Sequence, residues 1–207
     1  MRILACALCL GLALLVAGCV VTPSLHPIYT DKELVFDQTL VGSWVVPDEE
    51  GGVTWNFQPG EGKAYRLIVQ EQEGAEKFTA HLVKLGELTF LDLLPELLLD
   101  KESFYSEHLL RAHSFLRIEI KENALQVSLL SPGWLDKKLA SGEVTLGCEV
   151  MESDSQLESD QRRVLTAATG ELQQFLVKYG NDKEAFSEIV KLTRQPEPAP
   201  QPADSLP

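Results

Sequence analysis

The sequence predicts a mainly β fold with some α structure: an antiparallel meander that closes into a lipocalin-like barrel or a covered sheet, with short helices late in the chain. Three observations lead to this prediction. Apolar and polar residues alternate with the period of two of half-buried strands in several segments between Val53 and Leu129. Short turns and no helical stretch separate these segments, so consecutive strands should pair antiparallel. Helix signals come only after Leu130, and the strand–helix alternation of nucleotide-binding folds is absent.

The predicted strands differ in how strongly their patterns define them. The segments around 116–120 and 125–129 are separated by little more than Glu122-Asn123, which favours a hairpin. Segments 78–85 and 88–94 are apolar on both faces, which favours cover on both sides of the sheet. The edges of such a meander must be closed or covered. Strands are predicted at 40–46, 53–57, 65–69, 78–85, 88–94, 116–120, 125–129, 144–150 and 163–166.

Two or three late helices are predicted, of which the third is a single turn that starts at Asp182 with Phe186 facing inward. The first two are predicted from their termini. Ser131-Pro132 supplies an N-cap and a proline in the first turn, and Gly142 is the expected end of that helix. Thr169 is expected to cap a second helix, about 169–180, which ends at Gly180. One apolar stripe runs along it, formed by Leu172, Phe175, Leu176 and Tyr179.

The domain boundaries follow from composition. Residues 40–194 are predicted to form a single β-rich domain, long enough to bury a core. Residues 195–207 are rich in proline and are predicted to be a disordered tail.

The N-terminus indicates export. Ile3–Val16 is almost wholly apolar and shorter than the roughly 20 residues that a membrane-spanning helix needs. The stretch Leu15-Val16-Ala17-Gly18-Cys19 resembles the bacterial lipoprotein signal, in which small residues precede a cysteine that is lipidated and becomes the new N-terminus. This resemblance implies that 1–18 is a signal peptide, that Cys19 carries acyl chains such as palmitate, and that 19–39 is a lipidated tether and lead-in. A plain secretory signal or an uncleaved anchor is the alternative.

The residue after the cysteine bears on location. Val20 stands where an aspartate would suggest retention in the inner membrane, so the expected location is the cell envelope, at the outer membrane and facing the periplasm. The net charge of −13 argues against nucleic acid as a partner. It also disfavours electrostatic docking on anionic lipid, so membrane attachment is expected to depend on the acylated Cys19.

The stretch Leu40-Val41-Gly42-Ser43-Trp44 resembles the Gly-x-Trp signature of lipocalin-like barrels. That resemblance implies that Trp44 lies on the first barrel strand and plugs the closed end. The family pattern also expects an arginine late in the barrel that stacks on this tryptophan, and Arg117 and Arg163 are the candidates.

The chain is also similar over most of its length to a class of bacterial lipoproteins that brings no known activity and no catalytic residue. The stretches that carry this similarity are His26–Thr30, Leu40–Trp44, Ala80–Gly86, Phe90–Leu93, Ala112–Phe115 and Thr166–Phe175.

No recognisable catalytic or metal motif is present. The histidines form no His-x-x-x-His pattern, and Ser43 does not lie in a Gly-x-Ser-x-Gly elbow. His81 is expected to be a hydrogen-bonded sheet residue. We expect no cofactor and no metal, and we favour a role other than catalysis, although a triad assembled in space stays open.

Two functions compete. In the first, the domain binds a small apolar ligand, and the candidate lining residues are Trp44, Trp55, Tyr65, Phe104 and His113. The apolar connection Pro95–Ala112 is then a lid over the barrel mouth, and otherwise it is a cover that completes the core. In the second, the domain is an interaction or envelope-maintenance module with a filled core and an envelope protein as partner. The volume of the core distinguishes the two.

Overall fold

A computed structural model describes residues 21–47, 52–96, 104, 106–151 and 162–196, and it confirms the mainly β prediction. Two helices accompany the strands, α1 (Pro132–Ala140) and α2 (Thr169–Tyr179). The strands are β1 (Leu34–Val35), β2 (Gly42–Val45), β3 (Thr54–Pro59), β4 (Ala64–Glu71), β5 (Gly74–Leu85), β6 (Leu88–Pro95), β7 (Ser114–Lys121), β8 (Ala124–Leu130), β9 (Cys148–Met151), β10 (Arg162–Leu165) and β11 (Phe186–Arg194). The predicted signal peptide 1–18, Cys19 and residues 197–207 of the predicted tail lie outside the described residues.

Eight strands form a closed antiparallel barrel in the order β2-β3-β4-β5-β6-β7-β8-β11. The last strand closes it, because β11 pairs with β8 on one side and with β2 on the other. Closure removes the free edges that an open meander would expose. Strand β1 adds to β5 beyond the end of β4, and β9 and β10 form a separate two-stranded ribbon.

The closing strand β11 is not predicted from the sequence. Its register shifts between Glu188 and Val190, where a bulge inserts an extra residue. A bulge breaks the alternation of apolar and polar residues, and only the short run from Val190 to Leu192 keeps the period of two. The segment therefore lacks the pattern by which the other barrel strands are recognised.

The antiparallel registers define two ends of the barrel. At the closed end lie the short helical turn Gln38–Leu40 and the turns at 60–63, 86–87 and 122–123. At the other end, which we call the mouth, lie the connections between β2 and β3, between β4 and β5, and between β6 and β7. The connection Pro95–Ala112 therefore belongs to the mouth, and its residues 97–103 and 105 lie outside the described residues.

The buried side chains form two clusters. The interior cluster fills the barrel and comprises Leu40, Trp44, Phe57, Tyr65, Leu67, Val69, Ala80, Leu82, Leu91, Leu93, Leu116, Ile118, Leu125, Val127, Leu129 and Leu192. The outer cluster lies between the outside of the sheet and both helices, and includes Ile28, Val83, Leu85, Leu88, Phe90, Leu135, Leu172, Phe175, Leu176 and Phe186. This second cluster explains why β5 and β6 are apolar on both faces.

The described part of the predicted tether and lead-in, 21–39, is packed against the barrel. Ser24 bridges to His113 at the start of β7, and Ile28 is wholly buried against the outer face of the sheet. The Tyr29 ring makes a tilted contact with the His81 ring of β5, with centroids 4.5 Å apart. The segment thus crosses the outside of β7, β6 and β5 before it becomes β1.

Both helices predicted from their termini are present. The Ser131 hydroxyl caps α1 by accepting the Trp134 amide at 3.3 Å. Helix α2 begins at Thr169 itself, one residue earlier than a capping role for Thr169 would allow. Ala168 is the N-cap residue, and the Glu171 carboxylate accepts the Ala168 amide at 2.9 Å. In the described part of the chain, no helix is long and apolar enough to cross a membrane.

Candidate functional site

Trp44 is the central side chain of the closed end. It lies on β2 and has no exposed surface. Its indole Nε1 donates a hydrogen bond to the Leu40 carbonyl at 2.9 Å, which ties the ring to the helical turn that covers this end. The guanidinium of Arg194 lies over the ring, 4.2 Å from the centroid, in a cation–π contact.

Arg194 also binds the backbone around Trp44. Its Nη1 donates to the Val41 carbonyl at 2.8 Å, and its Nη2 donates to the Thr39 carbonyl. Gly42 allows this approach, because its φ is +121° and a Cβ there would lie 2.9 Å from Nη1 of Arg194. The glycine and the tryptophan of the Gly-x-Trp stretch therefore both serve the contact with this arginine.

The arginine that stacks on Trp44 is thus Arg194, and the prediction of Arg117 or Arg163 is wrong. Arg117 points to the outside of β7 and pairs with Glu119 at 2.8 Å. Arg163 lies on the ribbon and pairs with Asp136 of α1. Because β11 closes the barrel against β2, the end of β11 is the place from which an arginine reaches Trp44.

The middle of the barrel is filled with side chains. A side chain that borders a void able to hold a water molecule keeps accessible surface there. Seven members of the interior cluster keep none, namely Leu40, Trp44, Leu67, Ala80, Leu91, Leu125 and Leu192. Around these residues the interior is therefore packed as a protein core and offers no ligand-sized space.

Exposure increases toward the mouth. Val69, Leu93 and Leu129 are 6–9% exposed. Trp55 and Phe78 are only partly buried against the interior cluster. The apolar lining of the barrel thus reaches solvent at the mouth.

The five candidate lining residues are not brought to one place. Trp44 and Trp55 are cross-strand partners in the barrel. Tyr65 is buried beside Phe57, and its hydroxyl accepts the Asp37 amide at 2.6 Å and donates to the Asp37 carbonyl at 3.1 Å. Phe104, in the connection at the mouth, is 83% exposed. His113 lies on the outer face, where it contacts Asp92.

A polar cluster holds the lead-in on the outer face of the barrel. The Asp92 side chain is buried. It accepts the Ile28 amide at 2.9 Å through Oδ2 and contacts His113 Nδ1 at 2.6 Å through Oδ1. Gln173 of α2 donates to the Ile28 carbonyl at 3.1 Å, so both backbone polar groups of Ile28 are paired. Asp92 is buried because it satisfies the backbone of the segment that covers it.

His81 completes this polar cluster from β5, where it is the cross-strand partner of Asp92. Its Nδ1 is buried and has no hydrogen-bond partner among the described residues, contrary to the expectation of a hydrogen-bonded sheet histidine. Burial lowers the pKa of His81; Asp92 opposes that shift and His113 adds to it. Burial, followed by the charge of Asp92, raises the pKa of the Tyr29 hydroxyl.

The serine of this region is hydrogen-bonded within the lead-in. The Ser24 hydroxyl, next to His113 in the backbone bridge, donates to the His26 carbonyl at 2.8 Å. It is therefore engaged by the lead-in and not by the imidazole that a catalytic serine would need. Among the described residues, no three His, Cys, Asp or Glu side chains are placed to bind a metal ion.

The outer surface also carries an open groove of about 440 Å³ beside β7, β8 and the start of β11. Its charged groups are partly paired: Glu119 contacts Arg117 at 2.8 Å and Lys121 at 2.7 Å. These contacts, first the hydrogen bond from Lys121, lower the pKa of Glu119. The other lining residues are Ile118, Gln126, Ser128, Asn181, Lys183, Phe186 and Ser187.

Comparison with known proteins finds no counterpart for this chain: no protein-family model, no curated protein and no solved structure matches it. The geometry of the described residues is therefore the basis of the functional assignment.

Proposed function

We propose that the protein is a lipid-anchored cell-envelope lipoprotein that acts through its outer surface, as an interaction or maintenance module with a filled barrel. The anchor is the acylated Cys19, and the domain faces the periplasm from the outer membrane. The lipoprotein-like stretch that ends at Cys19 supports the anchor. The filled barrel interior supports action through the surface.

The packing of the barrel carries this proposal. A ligand in the middle of the barrel would have to displace Leu67, Leu91 or Leu125, none of which has exposed surface. Forcing extra volume into a packed core costs roughly 1–3 kcal/mol or more. An apolar ligand that enters the middle of the barrel would meet this cost before it gained any contact.

A small apolar ligand at the mouth is the second candidate function. It is favoured by Trp55 and Phe78, which are apolar, partly buried and on the side of the barrel that opens to solvent. Titration of the protein with dodecanoate, followed by tryptophan fluorescence, separates the two. A saturable change that disappears in the Trp55→Phe variant supports the ligand at the mouth, and the absence of any saturable change supports the surface module.

The anchor is tested by Cys19→Ala, with Cys148→Ala as the matched control because it removes a cysteine from the domain itself. Both variants and the wild type are expressed in a host that processes lipoproteins and supplied with labelled palmitate. We expect label and membrane association in the wild type and in Cys148→Ala, and loss of both in Cys19→Ala. Label in Cys19→Ala equal to that of the wild type contradicts the proposal.

A further inference from the structure

The large exposed apolar side chains are unevenly placed. Among the described residues, seven such side chains are exposed by 40% or more. Two of them stand apart, because Phe36 directly follows β1 and Val177 lies on α2. The other five belong to segments that join at Ser24: they are Leu25, Phe104, Leu110, Val150 and Met151.

Ser24 is the junction of these segments. It pairs antiparallel with His113 on one side and parallel with Leu165 of β10 on the other. Leu110 and Phe104 belong to the connection that leads into His113, and the Phe104 ring contacts the His108 ring with centroids 4.6 Å apart. Val150 and Met151 lie on β9, directly opposite Arg163 and Arg162 of β10.

The lead-in is fixed to the domain close to Cys19. The Leu165 amide donates to the Pro23 carbonyl at 2.8 Å, and Thr22 is buried. Val21 packs against the interior cluster of the barrel. Two residues of chain span at most about 7 Å, so Val21 lies within that distance of Cys19. Acyl chains on Cys19 would therefore hold this edge of the domain directly at the membrane surface.

We propose that the edge around Ser24 is a membrane-contact face, on which Phe104, Leu110 and Met151 enter the lipid interface beside the acyl anchor. This inference rests on the proposed lipidation of Cys19. Apolar side chains at a membrane surface are buried at the boundary between headgroups and acyl chains, where removal from water stabilises them. These exposed apolar residues lie on segments that meet at Ser24, close to the point of anchorage, and the bilayer is the partner that the anchor brings to them.

Apolar burial, and not charge, drives this contact. The chain carries a net charge of −13, which opposes attraction to anionic lipid. Arg111 and Arg162, near the same junction, are exposed and can face lipid phosphates, but they are few against the total acidity. We therefore expect the contact to form in vesicles without phosphatidylglycerol and to be no stronger when phosphatidylglycerol is present.

The test places tryptophan at the proposed face of the full-length, lipidated protein. The Phe104→Trp and Met151→Trp variants are compared with Val177→Trp, which replaces an exposed apolar residue on α2. Each is reconstituted in phosphatidylethanolamine–phosphatidylglycerol vesicles whose acyl chains are brominated near the headgroup. Wild-type protein, with its three native tryptophans, supplies the background. We expect Phe104→Trp and Met151→Trp to be quenched several-fold more than Val177→Trp.

Two measurements on the same samples keep the outcomes distinct. Flotation of the vesicles and the mass of the N-terminal peptide report the anchor. Protein that is neither acylated nor floated contradicts the proposed function itself. Protein that is acylated and floats, but in which either Phe104→Trp or Met151→Trp is quenched no more than Val177→Trp, overturns the membrane-contact face alone. If the tryptophans at these two positions are shielded from water in native envelopes but not in pure lipid vesicles, a protein covers this face. That result also overturns the membrane-contact face.

Discussion

The guanidinium of Arg194 lies 4.2 Å from the centre of the Trp44 ring and joins the last strand of the barrel to the first. The same side chain donates to the carbonyls of Val41 and Thr39, in the segment that covers the closed end. One residue therefore links barrel closure to the cover of the closed end. Its removal should affect the whole domain rather than a local surface.

Arg194→Gln should destabilise the protein by about 2–4 kcal/mol, because hydrogen bonds from a charged group and a cation–π contact are lost together. The control is Arg163→Gln, which breaks a partly exposed ion pair with Asp136 and should cost less than about 1 kcal/mol. Urea unfolding followed by circular dichroism measures both. Equal costs for the two variants would show that Arg194 has no special role in closure.

Gly42→Ala should destabilise the protein by about 1–3 kcal/mol. Its φ of +121° is unfavourable for a side chain, and the added Cβ would lie 2.9 Å from Arg194 Nη1. Gly133→Ala is the matched control, because Gly133 lies in α1 with open space around it. That change should be neutral or stabilising by up to about 1 kcal/mol. In thermal melts, the melting temperature should therefore fall clearly in Gly42→Ala and should stay the same or rise in Gly133→Ala.

Asp92→Ala should loosen the lead-in. The Ile28 amide and the His113 ring would lose their acceptor in a buried site, at a cost of roughly 2–3 kcal/mol or more. Hydrogen exchange at the Ile28 amide should become faster, whereas the amides in the centre of β4 should change only by the global loss of stability. Glu96→Ala, which removes a surface partner of Arg66, is the control and should leave the Ile28 amide protected. Unchanged exchange at Ile28 in Asp92→Ala would contradict the holding role of Asp92.

His81 should make the stability depend on pH. Burial lowers its pKa from the ordinary value of 6.5, so the unfolded chain takes up a proton at a higher pH than the folded protein does. The stability from neutral His81 is fully present above about pH 6.5 and is lost as the pH falls through the folded pKa. Between about pH 7.5 and pH 5, the free energy of unfolding should therefore fall less in His81→Gln than in the wild type.

The control for this pH dependence is His108→Gln, which changes an exposed histidine. Measured by urea unfolding across the same pH range, its free energy of unfolding should change with pH as that of the wild type does. If His81→Gln showed the same change with pH, the buried imidazole would not be a source of the pH dependence.

Strands β3, β4, β7 and β8 were predictable because apolar and polar residues alternate regularly along them, and β5 and β6 because two apolar runs are divided by a short turn. Strand β11 was not, since its bulge between Glu188 and Val190 interrupts the period of two. The partner of Trp44 was missed for the same reason, because Arg194 reaches it only through that strand. The Gly-x-Trp stretch could suggest an arginine but not which one.

The polar cluster on the outer face could not be predicted from the sequence either. His81 and Asp92 are brought together by the register of β5 and β6, and His113 joins them from the start of β7. Single-sequence patterns show that β5 and β6 are apolar on both faces, but they do not show which segment covers them. The covering segment is the lead-in, whose Ile28 amide binds Asp92.

The filled barrel is the central claim, and xenon tests it most directly. Methyl groups of the wild type are followed by NMR under xenon pressure, beside a Leu91→Ala variant that opens a cavity in the same interior. Xenon occupies apolar cavities created by such truncations. We expect the methyls of Leu67, Leu125 and Leu192 to keep their shifts in the wild type and to show xenon-dependent shifts at the cavity in Leu91→Ala. Saturable xenon shifts of these methyls in the wild type would reveal an interior cavity and contradict the filled barrel.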